Sequence, residues 1–143
     1  MTKIYVATSL AKEFWKENQR IVDYLRSLNM FDVYYPLEGK VPNKDSMSNV
    51  EWGQYVFEMD KKAIDNADFV VMLSRGRWST AGTNWEVGYC YGIGKKVVVV
   101  EMNDTPQSLM ISNGCHAVIK GLKGLKNYNF KTMPKTMTET AQA

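Results

Sequence analysis

Residues 69–73 read F-V-V-M-L and residues 97–100 read V-V-V-V. Neither run alternates with polar positions, so neither can form a strand with one face in water. Such strands have both faces covered, which is the habit of parallel sheets packed between helices. The runs are also far shorter than the roughly 20 apolar residues that a membrane helix needs.

The rest of the chain supplies the covering layers. Residues 3–7, K-I-Y-V-A, form a short first strand. Phe14, Ile21, Val22, Leu25 and Leu28 then fall on one side of a helix. A second strand over 32–35 is stopped by Pro36. Residues 37–48 are polar, with Gly39, Pro42, Asn43, Asp45 and Ser46, and read as a surface loop, either plain connection or a lid. Trp52, Val56, Met59 and Ala63 repeat at helical spacing ahead of the 69–73 strand. A loop over 74–82 leads to a helix from near Thr83. After the 96–101 strand, Pro106 opens a short helical segment through Met110 and Ile111, and 117–119 is a fifth strand. The tail beyond Gly124 is mostly polar. Alternating strands and helices predict a flavodoxin-like or Rossmann-like three-layer sandwich, one domain over residues 1–143, with a five-stranded parallel sheet and right-handed crossovers. Ligands of such sheets sit beyond the carboxyl ends of the strands, which directs attention to the loops after strands one and three.

Composition removes several function classes. The net charge is +3, and Lys120, Lys123, Lys126, Lys131 and Lys135 gather in the last quarter. Without interleaved arginines or a recognisable nucleic-acid module they read as a solvated face. His116 is the one histidine, and no carboxylate cluster accompanies it, so no metal site is expected. Cys90 and Cys115 lack metal-like spacing and read as reduced, buried thiols. The start of the chain lacks the apolar core and cleavage site of a signal peptide, and a cytoplasmic protein is expected.

One stretch asks for a function. Residues 80–89, T-A-G-T-N-W-E-V-G-Y, set Glu86 near a helix start with no lysine or arginine beside it. Tyr5 lies near the carboxyl end of strand one. Asp60, on the helix before strand three, lies roughly 80° from Trp52 at about 100° per residue and so borders the apolar stripe. Each also has an ordinary reading: a strand aromatic, a carboxylate at a helix dipole, a solvated helix residue. Gly82 and Gly88 could serve a turn and close packing. Neither G-x-x-x-x-G-K nor G-x-G-x-x-G occurs; G-Y-C-Y-G-I-G at 88–94 lies inside the predicted helix.

Taken together and in order, these residues resemble the nucleoside 2-deoxyribosyltransferase family over nearly the whole chain. The carriers are K-I-Y-V-A-T-S at 3–9, E-W-G-Q-Y-V-F-E-M-D at 51–60, A-D-F-V-V at 67–71 and G-T-N-W-E-V-G-Y at 82–89, extended by G-K-K-V at 94–97, S-L-M-I-S at 108–112 and Y-N-F at 128–130. The resemblance implies exchange of the base at the N-glycosidic bond of deoxynucleosides. Glu86 would be the nucleophile, Asp60 would manage the proton on the base, and Tyr5 would orient Glu86. It also implies a homo-oligomer built from dimers, up to a hexamer, with Ser108 and the tail around Tyr128 and Phe130 as candidates for completing a neighbour's site. The chemistry requires no cofactor. Trp52, Trp85 and Tyr89 are either base and sugar platforms or core residues.

Two positions depart from the family. Six residues before the nucleophile the family commonly has Asp, and this chain has Thr80; where N-L-M is common it has Ser108-Leu109-Met110. In the family those Asp and Asn side chains hold the sugar 5′-hydroxyl. A carboxylate repels a phosphate and a hydroxyl donates to it. Related nucleotide N-glycosidases place hydroxyl residues there to grip a 5′-monophosphate. Arg75 and Arg77, with Ser74 and Ser79, lie in the same loop and are expected to add phosphate contacts. The favoured substrate is thus a deoxynucleoside 5′-monophosphate. The alternatives are a free-nucleoside transferase and a nucleotide-binding module without turnover. Transfer and hydrolysis stay open, since water access decides between them.

Overall fold

A computed structural model describes residues 1–143. Its five strands are β1 (Thr2–Ala7), β2 (Phe31–Tyr34), β3 (Phe69–Ser74), β4 (Val97–Glu101) and β5 (Ala117–Lys120). All pair in parallel in the order β2-β1-β3-β4-β5. The helices are α1 (Trp15–Ser27), α2 (Asn49–Asn66), α3 (Ala81–Gly92), α4 (Leu109–Gly114) and α5 (Gly121–Asn127). No helix is long and apolar enough to cross a membrane.

Every residue of β3 and β4 is buried, as their unbroken apolar sequence requires. Alternate side chains feed two cores. Ile4, Val6, Val71, Leu73, Val98 and Val100 face Ile21, Val22 and Leu25 of α1 and Leu125 of α5. Tyr5, Ala7, Val70, Met72, Val97 and Val99 face Ile64 of α2 and Val87 and Cys90 of α3, with Ile111 of α4 at the edge. The result is the three-layer sandwich expected from the sequence.

Strand order locates the crevice. The chain runs outward from β1 to β2, then returns to place β3 on the other side of β1. The loops after β1 and β3 therefore diverge, and a gap opens at their carboxyl ends. Capping fixes the helices that border it. Ser48 accepts from Glu51 N at 3.1 Å while Glu51 returns a bond to Ser48 N at 3.2 Å, a reciprocal cap that starts α2. Lys95 Nζ ends α2 by donating to the carbonyls of Ile64, Asp65 and Ala67. Thr80 caps α3, its Oγ1 accepting from Thr83 N.

Several local expectations need correction. The third helix begins at Ala81, two residues before Thr83, because the Thr80 side chain supplies the cap. The fourth begins at Leu109 with Ser108 as its cap, so Pro106 precedes the helix. Helix α5 was not expected; it starts before the stretch read as polar tail and only its last three residues fall within it, and Gly121, at φ 61°, and Gly124 hid its pattern. The 37–48 loop contains a short 3₁₀ turn at Lys44–Ser46. In α2, Ile64 is the one buried residue; Val56, Met59 and Ala63 are half-buried and Trp52 is exposed. Cys115 is half-buried rather than buried.

Candidate active site

A cavity of about 620 Å³ opens in the crevice. Its floor is Thr8 and Leu10 from the loop after β1. One wall is α2, through Phe57, Asp60, Lys61 and Ile64. The other is the start of α3, through Thr80 to Thr83, Trp85 and Glu86.

At its base the buried Tyr5 phenol donates a hydrogen bond to Glu86 Oε2. Tyr5 sits on the α2–α3 side of β1, and Glu86 lies in the second turn of α3, the turn that crosses the end of β1. Burial, with the Glu86 charge beside it, raises Tyr5 far above the ordinary phenol range, so the phenol stays a donor. Burial also raises the Glu86 carboxyl to about 7. The Tyr5 bond opposes that rise and the neighbouring Asp60 charge adds to it. Asp60 reaches the same space from α2, and burial raises it to about 6. No cation pairs with either carboxyl. Two carboxyls held near neutrality, one of them gripped by a phenol, can divide nucleophilic and proton-transfer work between them.

The remaining expected residues separate into two groups. Thr80 and Gly82 line the cavity at the amino end of α3. Trp52, Arg75, Arg77 and Ser108 do not. Arg75 is 2% exposed and turns inward: its guanidinium donates to Thr8 Oγ1 at 3.1 Å and Asn18 Oδ1 at 2.8 Å, pairs with Glu17 at 3.3 Å, and lies over the Phe14 ring. It ties the loop after β1 to α1 and reaches the cavity only through Thr8. Arg77 is exposed, with its guanidinium 5.7 Å from the Trp78 ring centre. The Trp52 ring lies beneath the Lys44 ammonium at 5.5 Å. Ser108 borders a separate groove with Tyr91, Leu109 and Met110. Tyr128 and Phe130 belong to their own chain's core, where Phe130 packs on Phe31 at 5.2 Å and Phe69 at 5.7 Å.

Sequence reasoning missed Phe57, Thr8 and Leu10, which line the cavity. Phe57 and Trp85 meet edge to face at 5.2 Å across the cavity mouth, and Trp85 stacks on Tyr89 at 5.4 Å. Tyr89 in turn donates to Asp65 Oδ1 at 2.5 Å, which pins α3 to α2. Phe57 lies one helical turn before Asp60, a spacing readable in the sequence once Asp60 is suspected.

A family model described as nucleoside 2-deoxyribosyltransferase matches residues 4–137. A solved 2-deoxyribosyltransferase from the psychrotolerant bacterium Bacillus psychrosaccharolyticus is 30% identical, covers 94% of this chain and 98% of its own, and superposes with a TM-score of 0.85. A conserved protein from Enterococcus faecalis V583 has the same fold at 20% identity, with 96% and 91% coverage and a TM-score of 0.65. So does a Clostridium botulinum CMP N-glycosidase, BcmB, at 16% identity, 90% and 100% coverage and a TM-score of 0.63. No curated protein sequence matches the chain significantly.

Proposed function

The chain belongs to the nucleoside 2-deoxyribosyltransferase family, and on that premise we propose that it cleaves 2′-deoxynucleoside 5′-monophosphates through a deoxyribosyl ester on Glu86. The observation that carries this reading is the Tyr5–Glu86 hydrogen bond inside a cavity that Asp60 also lines.

The steps follow from those groups. Ionised Glu86 attacks the anomeric carbon as the C–N bond breaks, and the bond's electron pair leaves on the base. Asp60 gives its proton to that nitrogen, since an unprotonated base anion is a poor leaving group. The sugar passes through an oxocarbenium-like state, which the Glu86 charge beneath it favours. A second base, or water, then attacks the same carbon, gives its proton to Asp60 and releases Glu86. Tyr5 keeps one Glu86 oxygen fixed so that the other is directed at the sugar.

The 5′ end of the cavity supports the monophosphate. Thr80 and Thr83, whose hydroxyls are hydrogen-bonded to each other at 2.8 Å, line the cavity where α3 begins. A helix start offers free N–H groups and a partial positive charge to an anion. Arg75 and Arg77 have no part in this reading, because one is engaged with Asn18 and Thr8 and the other lies by Trp78 outside the cavity lining.

The test is kcat/KM for deoxyadenosine 5′-monophosphate against deoxyadenosine, with and without free adenine or cytosine as acceptor. The expected result is at least a tenfold preference for the monophosphate, roughly 1.4 kcal/mol. Equal or better use of the nucleoside removes the phosphate assignment. Glu86→Ala should abolish cleavage of both while leaving ligand binding, and retained cleavage would remove the nucleophile assignment.

A further inference from the structure

Tyr34 is the register partner of Tyr5, on the neighbouring strand. Both residues point to the same face of the sheet, and their rings stack at 5.5 Å with planes 13° apart. Tyr5 spends its hydroxyl on Glu86. The Tyr34 hydroxyl and Asp60 Oδ1 are both buried, and neither meets hydrogen-bond geometry with any group in the structure; the two adjoin closely enough for the hydroxyl to hold the Asp60 carboxyl down. Gly39 lies close to the hydroxyl. A methyl group on Gly39 would come within 3.3 Å of the Tyr34 hydroxyl and 3.1 Å of Met59 Cε. A buried hydroxyl and a buried carboxyl oxygen that adjoin without a formed hydrogen bond are costly unless the two serve each other at some stage.

We propose that Tyr34 is a positioning residue for Asp60, its hydroxyl donating to the carboxylate that remains once Asp60 has given up its proton. The site then consists of two stacked phenols, each assigned to one carboxyl. The inference rests on the reading of Asp60 as the proton donor. In the first step the proton passes from Asp60 to the base nitrogen that receives the C–N electron pair. Tyr34 holds the resulting carboxylate in place until the acceptor returns a proton. The groups that face Asp60 are Tyr34 from β2, Tyr5 from β1 and Glu86 from α3; Tyr55 faces Tyr34 from α2 itself. Lys61, next in sequence, is occupied by Asp65 at 3.1 Å. Burial pushes Asp60 up and the Tyr34 hydroxyl acts against that push.

The test follows the Asp60 carboxyl carbon by NMR as pH is varied, with the signal assigned by its loss in Asp60→Asn. Tyr34→Phe keeps the ring stack and removes the hydroxyl, and should move the Asp60 titration up by about one pH unit. Replacing Tyr34 with 3-fluorotyrosine keeps the ring and strengthens the donor, and should move it down. Tyr35→Phe removes another unpartnered buried hydroxyl, but on the opposite face of the sheet, and should leave it unmoved. An Asp60 titration unchanged in both Tyr34 variants, or moved equally by Tyr35→Phe, overturns the inference. The underlying reading is judged separately. If Asp60→Asn cleaves deoxyadenosine and its monophosphate at the wild-type rate, the proton-donor role falls and Tyr34's task falls with it. If Asp60→Asn is inactive and the titration does not move, Tyr34 alone is removed.

Discussion

Glu86 and Asp60 must be in opposite protonation states for the proposed chemistry, and burial sets their pKa values close together, at about 7 and about 6. The productive form, with Glu86 ionised and Asp60 protonated, is the minority one, and the apparent values belong to the pair. The profile of kcat/KM against pH should be a bell with its maximum between about 6 and 7; a plateau running through pH 9 would contradict the Asp60 assignment. Stability carries the same signature. Both carboxyls bind protons more tightly folded than unfolded. Their contribution is therefore whole below the unfolded pKa near 4 and is lost as pH rises through the folded values. Glu86→Gln cannot ionise and should gain on the order of 2 kcal/mol over the parent at pH 8 and almost nothing at pH 4, read from denaturation midpoints. Arg75 teaches the converse at the same scale. Its sequence position beside a candidate phosphate loop was visible, but its inward rotation toward Asn18 and Thr8 was not, because no local pattern reports which way a loop side chain turns.

Helix α3 carries the two ends of the candidate site. Its cap, Thr80, borders the cavity, and Glu86 in its second turn meets Tyr5. Thr80→Asp tests the element as a unit. Aspartate caps helices as well as threonine does, so thermal stability should stay within about 0.5 kcal/mol. The new charge should nonetheless repel a phosphate and shift kcat/KM tenfold or more toward the free nucleoside. Helix α2 shows the limit of reading by period. Its pattern correctly indicated a helix and put Asp60 at the edge of the apolar face. The pattern did not reveal that the amino half of the helix leaves Tyr55 and Phe57 exposed, Phe57 at the cavity. Periodicity says which residues share a face and is silent on how much of that face finds a partner.

The chain's last residues run back across the carboxyl ends of β4 and β5. Thr136 O accepts from Val118 N, Thr140 donates to the buried Glu101 at 2.9 Å, and Gln107 donates to Ala141 O while its own carbonyl accepts from Ala143 N. Removing residues 136–143 should therefore cost about 2 kcal/mol by leaving Glu101 and these amides unpaired; an unchanged melting temperature would show that the strap is dispensable. The order and type of the main elements were legible in the sequence, because unbroken apolar runs such as 97–100 are soluble only as covered strands. The grouping of Tyr5, Asp60 and Glu86 was suggested by a resemblance carried by several short segments at once, and the fold brings the three together; their roles are those proposed above. The meeting of Tyr34 with Tyr5 and Asp60 was not legible. Strand order brings Tyr34 beside Tyr5, the crossover aims Asp60 at the same space, and desolvation there raises both carboxyls. The hydrophobic pattern is a local property and fixes what each segment becomes; proximity, burial and the pKa values that depend on them arise only when the segments pack.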